Sequence, residues 1–160
     1  MSRSTARVAE EASVYRYAGD ASNQANHYIT LLGLQPQETY SLIGLVEQGF
    51  SYQELENLRN NIRLSPEEFS TLVQIKPRTL SRRKESARLL PDESDRLLRA
   101  SRIYGRALEL FEGDADGALR WLRQPLRALG SATPLQLSRT EVGAREVENL
   151  IGRLEHGVFV

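Results

Sequence analysis

The stretch LSPEEFSTLVQIKPRTLSRRKESARLL, from Leu64 to Leu90, decides how this chain folds. Its first helix has a clear start: Ser65 can cap free backbone N–H groups, Pro66 suits the first helical position, and Glu68 completes a capping box. The apolar residues that follow have the i, i+3, i+4 spacing of one helical face, namely Phe69, Leu72 and Val73. The stretch therefore begins with a short amphipathic helix.

A second helix is predicted directly after the first. Pro77 disfavours helical geometry at Lys76 but fits the first turn of a new helix, so the chain turns at this point. The new helix, roughly Pro77 to Lys84, would bury Leu80 and present outward Arg78, Thr79, Ser81, Arg82 and Arg83. A scaffold helix, a tight turn and an Arg-rich second helix form the arrangement that places side chains in the major groove of DNA.

The same segment is strongly basic. Six of the thirteen residues from Lys76 to Arg88 are basic and only Glu85 is acidic, which gives +5 in a chain whose formal net charge is zero. A local positive field on a neutral chain favours a polyanion, most simply DNA, although a merely solvated charged face is the alternative. The candidate DNA-binding residues are Lys76, Arg78, Thr79, Ser81, Arg82, Arg83, Lys84 and Arg88.

The composition excludes several classes of protein. The 160 residues, 40% hydrophobic and 26% charged, suffice for one domain or two small ones. No apolar run is long enough for a membrane span, and the first residues lack the apolar segment of a secretory signal, so we expect a cytoplasmic protein without a membrane partner. The absence of cysteine removes disulfides, thiolate zinc sites and a cysteine nucleophile.

Helical patterns also fill the chain before this segment. The first twenty residues or so read as a tail or a frayed helix, and a helix is expected to end at Gly33. A second helix, about Pro36 to Gln48, would bury Leu42, Ile43, Leu45 and Val46. A third follows Ser51, with Tyr52, Leu55, Leu58 and Ile62 in helical spacing. We therefore predict an N-terminal extension over residues 1–35 and a helix–turn–helix domain over residues 36–90.

The region 91–160 is predicted to form a second, small helical domain. A long helix from Pro91 to about Glu112 has an apolar stripe that comprises Leu97, Leu98, Ser101, Tyr104, Ala107, Leu108 and Phe111. Its expected exposed face holds Arg96, Arg99, Arg102 and Arg106. Asp114 caps the next helix, and a last helix runs to about His156 with the face Val142, Val147, Leu150, Ile151 and Leu154. The fold class expected for the whole chain is all-α.

Two strings in this second region resemble the antitoxins of the Xre/MbcA/ParS family: WLRQPLRALGSATPLQL, from Trp121 to Leu137, and TEVGAREVENLIGRLEHGVF, from Thr140 to Phe159. The string TLSRRKESARLLPDESDRLLR, from Thr79 to Arg99, resembles the junction between the two domains of that family. The sequence departs from the family pattern at Ser131, where a second glycine is common, and at Ser138, where an apolar residue is usual.

The resemblance implies an antitoxin with two parts. An Xre-like helix–turn–helix domain would repress its own operon, and the C-terminal domain would neutralise a cognate toxin of the RES fold, a kind that attacks NAD. In such antitoxins the C-terminal segment covers the active site of the toxin, which carries over to Arg153, Leu154, Glu155, His156, Gly157, Val158, Phe159 and Val160. Trp121 is interpreted as a core residue with a share in that interface.

Three points remain open at this stage. The chain would act alone as a dimeric helix–turn–helix repressor if its C-terminal domain only dimerised or bound another ligand. A homodimer is expected in either case, because operators for such proteins are usually palindromic, and the long helix or the N-terminal helices would supply the contact. The terminal segment Val158–Val160 would plug a cleft in a toxin or fold back on its own core.

An enzyme is the competing class of function. His27 and His156 are far apart in sequence, and neither stands in a pattern typical of a catalytic residue. The chain has no phosphate-binding glycine loop and no Gly-x-Ser-x-Gly motif. Capping and solvation explain Asp114 and Asp116. We therefore expect no catalytic residue, no metal site and no cofactor.

Overall fold

The computed structural model of the chain describes residues 24–35 and 38–157, and within these ranges every regular element is a helix. The elements are an N-terminal 3-10 helix (Gln24–Leu32), α1 (Thr39–Gln48), α2 (Tyr52–Asn61), α3 (Pro66–Val73), α4 (Pro77–Ser86), α5 (Pro91–Leu110), α6 (Ala115–Arg123), a 3-10 turn (Arg127–Leu129), α7 (Pro134–Leu137) and α8 (Glu141–Glu155). The predicted all-α class is confirmed. The expected N-terminal tail and the segment Val158–Val160 lie outside the described residues.

Helix α5 is the centre of the fold. It contacts the N-terminal 3-10 helix, α1, α3, α6 and α8. Leu97, Ile103 and Ala107 have at most 1% of their surface exposed and belong to a single core that extends from the 3-10 helix to α8. A helix that is covered on several sides needs apolar or paired residues on most of its circumference, and α5 has both.

The expected exposed arginine face of α5 is therefore wrong. Arg99 is buried, with 7% of its surface exposed, and Arg96, Arg102 and Arg106 are half-buried. All four guanidinium groups lie within 4.0 Å of a carboxylate, and three of them pair with α8: Arg99 and Arg102 with Glu141, Arg102 with Glu148, and Arg106 with Glu155. These arginines join α5 to its neighbours and are not a surface for a second partner.

Two residues that the apolar pattern assigned to the core are on the surface. Ile43 on α1 is 47% exposed and Val142 on α8 is 77% exposed, whereas Leu42 and Val147 on the same helices are buried. Most of the apolar stripe of α5 is buried inside the chain, so it does not supply a contact between two copies.

The N-terminal 3-10 helix is part of the core. Ile29 and Leu32 are fully buried, and the helix ends at Gly33, whose φ of 76° is the left-handed conformation expected there. The side chains of Asn57 and Asn61 on α2 donate hydrogen bonds to the carbonyls of Leu32 (3.0 Å) and Leu31 (2.8 Å). These two bonds satisfy carbonyls that a helix end leaves unpaired.

Candidate functional site

Helix α3 begins with the predicted capping box. The amide of Glu68 donates to Ser65 Oγ at 3.1 Å, and the amide of Ser65 donates to Glu68 Oε2 at 2.8 Å. Phe69, Leu72 and Val73 are buried on the core side. The first helix of the predicted helix–turn–helix is therefore fixed at its start and along one face.

The turn between α3 and α4 is held from both sides. Gln74 ends α3 in the left-handed conformation (φ 52°, ψ 43°), and Ile75, with 2% of its surface exposed, anchors the turn in the core. Ser70 Oγ donates to the carbonyl of Ile75 at 2.6 Å. From α5, Arg96 Nε donates to the carbonyl of Val73 at 2.9 Å. The geometry of this turn fixes where α4 starts.

Helix α4 presents the predicted basic surface to solvent. Of the eight candidate DNA-binding residues, six are exposed: Lys76, Arg78, Ser81, Arg82, Lys84 and Arg88. Across the described ranges, no ion pair or hydrogen bond within the chain occupies the charged groups of Lys76, Arg78, Arg82 and Lys84. The arginines of α5 are all paired, whereas these four charges are free to meet an external anion.

Arg83 does not point outward as predicted. Its Nε and Nη2 atoms donate to Glu93 Oε2 (2.8 Å) and Oε1 (3.0 Å) at the start of α5, and its side chain is only 14% exposed. The hydrogen bond to Glu93 raises the pKa of Arg83. Burial opposes ionisation of Glu93, but its bonds from Arg83 and from the amide of Leu90 outweigh that effect and lower its pKa. The guanidinium of Arg83 is thus occupied by Glu93 within the fold.

Arg88 and Thr79 are also less available than the other candidates. Arg88 Nη1 donates to the carbonyl of Gly49 at 2.7 Å, although much of the side chain remains exposed. Thr79 is half-buried on the inner side of α4, next to Leu80. The face best placed for a partner therefore contains Arg78, Ser81 and Arg82, which follow the i, i+3, i+4 spacing of one helical face.

The candidate toxin-binding residues lie at the end of α8 and on α6. Arg153 and Leu154 are half-buried, whereas Glu155, His156 and Gly157 are exposed. Glu155 pairs with Arg106 at 3.0 Å, and His156 Nδ1 lies 2.6 Å from the carbonyl of Gly152. Gly157 has a φ of 69°, so the chain leaves the helix in a left-handed conformation that glycine adopts at little cost. Val158, Phe159 and Val160 are outside the described residues.

Trp121 is half-buried on α6, as expected of a residue with a core role. Its ring centroid lies 6.3 Å from that of Phe111, with the two planes tilted by 52°. Within the described part of the chain, no hydrogen bond, ion pair or ring contact joins Trp121 to the last turn of α8. The toxin-binding candidates therefore fall in two places and do not form one cluster.

The described residues contain neither a helix that could span a membrane nor a cluster that could hold a metal ion. No helix in residues 24–35 and 38–157 is long and apolar enough to cross a membrane. The same residues contain no group of three or more histidine or acidic side chains arranged to hold a metal ion.

Comparison with known families matches both halves of the chain. Residues 41–102 match the family model described as an antitoxin Xre-like helix-turn-helix domain. Residues 106–157 match the antitoxin Xre/MbcA/ParS C-terminal toxin-binding domain. The chain belongs to the Xre/MbcA/ParS antitoxin family. This Xre-family antitoxin thus combines a helix–turn–helix domain, which contains α3 and α4, with a toxin-binding domain, which contains α6 to α8.

Individual relatives agree with this assignment. The antitoxin is 36% identical to Antitoxin Xre of Yersinia enterocolitica over 129 residues, which are 80% of this chain and 87% of that protein. It is 32% identical to Antitoxin Xre of Photorhabdus laumondii over 136 residues, 84% of this chain and 92% of that protein. It is also 25% identical, over 73% of its own length and 79% of the other, to a Sphingobium protein named Prs ADP-ribosylating antitoxin.

Some residues of the antitoxin that matter for its geometry were not predicted. Glu68 was interpreted only as part of a capping box, and no partner was predicted for Glu93. Both also bind an arginine from another helix, Arg83 for Glu93 and Arg123 for Glu68. No local pattern identifies such pairs, because the partners lie 10 and 55 residues apart in sequence.

Proposed function

We propose that this antitoxin neutralises a cognate RES-domain toxin that degrades NAD, by covering the active site of the toxin, and that it represses its own operon by binding operator DNA. Its role is that of a regulator without a catalytic reaction of its own. The operator-binding form is a homodimer within a larger complex with the toxin. Repression of an operon takes place in the cytoplasm, the location expected from the sequence.

The unpaired charges of α4 are the observation that carries operator binding. Lys76, Arg78, Arg82 and Lys84 lie on one short helix and its cap, and no carboxylate of the described chain neutralises them. Lysine and arginine contact phosphates, and arginine also binds guanine through two hydrogen bonds. Helix α4 follows a scaffold helix and a tight turn, which is the geometry of a recognition helix in the major groove.

Toxin neutralisation is supported by the toxin-binding domain and by the form of the C-terminal end. Helix α8 ends at exposed Glu155, and the exposed turn residues His156 and Gly157 come next. The apolar sequence Val158–Val160 after that turn suits a cleft in a partner. One relative has a name that joins an antitoxin to ADP-ribosylation, a reaction whose usual donor is NAD. That name favours NAD chemistry for the cognate toxin.

Co-expression with the product of the neighbouring reading frame tests the toxin half. We expect the two proteins to co-purify, and we expect cellular NAD to fall when the neighbour is expressed alone and to stay constant when both are expressed. If the neighbour neither binds the chain nor consumes NAD, the RES-toxin proposal is wrong. A chain that still represses its promoter would then be a stand-alone repressor.

A promoter fusion tests the operator half. The DNA upstream of the gene is placed before a reporter, and the antitoxin is supplied from a second plasmid. We expect repression by the wild type and loss of repression by Arg78→Ala/Arg82→Ala. The matched control is Arg120→Ala/Arg127→Ala, which removes two exposed arginines outside α4 that have no ion-pair partner among the described residues. If the α4 double variant repressed as fully as the control double variant and the wild type, α4 would be excluded as the DNA-binding element.

A further inference from the structure

Helix α4 has unusually little apolar packing for a helix that must be held in a defined orientation. None of its ten residues is fully buried. Leu80 is its half-buried apolar anchor, and the other half-buried positions are Thr79 and Arg83, which are polar. The scaffold helix α3, by contrast, buries Phe69, Leu72 and Val73. The orientation of α4 must therefore depend strongly on polar contacts.

The contact between Arg83 and Glu93 is the strongest polar contact of α4. It consists of two charge-assisted hydrogen bonds, from Nε to Oε2 at 2.8 Å and from Nη2 to Oε1 at 3.0 Å. The side chains are 14% and 5% exposed, so solvent screens the pair only weakly. A two-bond contact between planar groups fixes direction as well as distance.

Glu93 is itself held in place by the junction between α4 and α5. Its Oε2 atom also accepts a hydrogen bond from the amide of Leu90 at 2.9 Å. The neighbouring Ser94 Oγ accepts from the amide of Phe50 (2.8 Å) and donates to the carbonyl of Leu90 (2.8 Å). The amide of Leu89 donates to the carbonyl of Phe50 at 2.8 Å. Glu93 therefore stands on a rigid frame formed by α5 and the α1–α2 turn.

We propose that Arg83 and Glu93 are positioning residues that set the orientation of the recognition helix α4 and thereby present Arg78 and Arg82 to DNA. The proposal rests on the operator binding proposed above. In this role Arg83 does not contact DNA: its guanidinium is bound to Glu93, and the free cations on the outer face make the contacts. Glu93 acts through Arg83 although it is an acidic residue close to a DNA-binding surface.

The positioning role of Glu93 and the electrostatic field of the surface predict different effects of removing an acidic side chain on DNA affinity. Glu85 and Glu93 are both acidic and lie near the basic surface, but Glu85, on α4, is exposed and has no partner in the described part of the chain. Removal of either negative charge raises the positive potential of this end of the molecule, so the field alone predicts tighter binding in both cases. Positioning predicts tighter binding for Glu85→Gln and weaker binding for Glu93→Gln. The two variants thus separate the two explanations.

The salt dependence of binding separates positioning from direct contact. Removal of one phosphate contact reduces the slope of log K against log salt by about 0.9. If Arg83 only positions α4, its replacement lowers affinity but leaves the slope near the wild-type value, because Arg83 itself makes no phosphate contact. Replacement of Arg82 lowers both the affinity and the slope. Misplacement that costs one base contact corresponds to about a tenfold loss of affinity or more.

The experiment measures affinity of the full chain for the DNA upstream of its gene, by fluorescence anisotropy at several salt concentrations. The variants are Glu93→Gln, Glu85→Gln, Arg83→Gln and Arg82→Gln. Glutamine at position 93 keeps an oxygen that can accept from the Leu90 amide, so the start of α5 is preserved. The double variant Arg83→Gln/Glu93→Gln leaves no unpaired buried charge and shows whether a loss in Arg83→Gln comes from a stranded carboxylate. Circular dichroism and thermal unfolding check that each variant folds.

We expect Glu93→Gln and Arg83→Gln to bind about tenfold more weakly. We also expect Glu85→Gln to bind at least as well as the wild type. The double variant should lose no more affinity than whichever single variant, Arg83→Gln or Glu93→Gln, binds more weakly. An unchanged or higher affinity of folded Glu93→Gln would overturn the proposal. A slope reduced by about one in Arg83→Gln would also overturn it, because it would show a direct phosphate contact. If the wild type did not bind this DNA at all, operator binding itself would fail instead.

Discussion

Arg123 near the end of α6 and Glu68 at the start of α3 form a two-bond ion pair that joins the toxin-binding domain to the helix–turn–helix. Arg123 Nε lies 2.8 Å from Glu68 Oε1, and Nη2 lies 2.9 Å from Oε2. Glu68 also accepts the Ser65 amide of the capping box. The hydrogen bond from Arg123, more than the bond from Ser65, lowers the pKa of Glu68 to about 2. One carboxylate thus serves both a helix start and a contact between domains.

The pair predicts a pH-dependent contribution to stability. Because the pKa of Glu68 is lowered in the folded chain, the contribution is complete above the ordinary glutamate pKa and is lost as the pH falls toward the folded value. Both side chains are partly in solvent, so we expect Arg123→Gln to cost only about 0.5–1 kcal/mol at neutral pH. Urea unfolding at several pH values should show the difference from wild type shrink from about pH 5 toward pH 3.

A matched control keeps this prediction specific. Arg120 lies on the same helix, is exposed and has no partner among the described residues. Arg120→Gln removes the same charge and should leave stability nearly unchanged at every pH. A cost of Arg123→Gln that stayed constant down to pH 3, or that Arg120→Gln matched, would contradict the assigned role of the pair.

Two glycines of α8 should respond in opposite ways to alanine. A Cβ on Gly143 would lie 2.0 Å from the carbonyl oxygen of Leu137, which is backbone of α7 and cannot move aside cheaply. A Cβ on Gly152 would meet nothing within 4 Å. We expect Gly143→Ala to lose about 2 kcal/mol or more. Gly152→Ala should gain about 0.5 kcal/mol from the higher helix propensity of alanine. Chemical denaturation measures both, and equal effects would show that α7 does not pack as described.

The backbone conformation of Ser131 indicates that glycine at this position would stabilise the chain. It has a φ of 66°, in the left-handed region that L-residues other than glycine adopt at a cost of about 1–2 kcal/mol. Part of the gain from glycine is offset by the greater freedom of the unfolded chain, so Ser131→Gly should raise the stability by about 0.5 kcal/mol. Thermal unfolding checks the sign. The adjacent Gly130, with a φ of 64°, gives the converse test, since Gly130→Ala should destabilise the chain.

Truncation tests the C-terminal end. Deletion of Val158–Val160 should weaken toxin inhibition by about tenfold or more, because these residues carry the apolar contacts proposed for the cleft. Operator binding should be unchanged. The control is Val142→Ser, which removes an apolar side chain that is 77% exposed elsewhere on the same domain. Full NAD protection by the truncated chain would refute the proposed plug.

Local signals in the sequence predicted the elements well. Ser65, Asp114 and Thr140 each accept an amide hydrogen bond at the start of a helix, and α3, α6 and α8 begin next to them. Such caps act within one helical turn, so they can be recognised from neighbouring residues. The helix–turn–helix followed from signals of this kind.

The same local signals could not predict side-chain partners that lie far apart in the sequence. The arginines of α5 have a polar pattern that fits an exposed face, but α8 and α3 cover that face with carboxylates and carbonyls. Arg83 resembles its neighbour Arg82 in sequence, but the fold of α5 places Glu93 beside it. Ile43 and Val142 fit an apolar period and yet lie at its exposed edge. Ser138, an unusual residue for its position in the family pattern, is buried and donates to the carbonyl of Pro134 at 2.7 Å.

The central claim is that the free cations of α4 bind operator DNA while exposed arginines elsewhere on the chain do not. The most direct measurement is the affinity for the upstream DNA, as a function of salt, of Arg78→Ala/Arg82→Ala compared with Arg120→Ala/Arg127→Ala. We predict that the α4 variant binds at least about tenfold more weakly and that its salt slope falls by up to about two units, one for each arginine that no longer binds a phosphate. The control variant should bind like the wild type. If the α4 variant kept the affinity and the slope of the wild type, the claim would be contradicted.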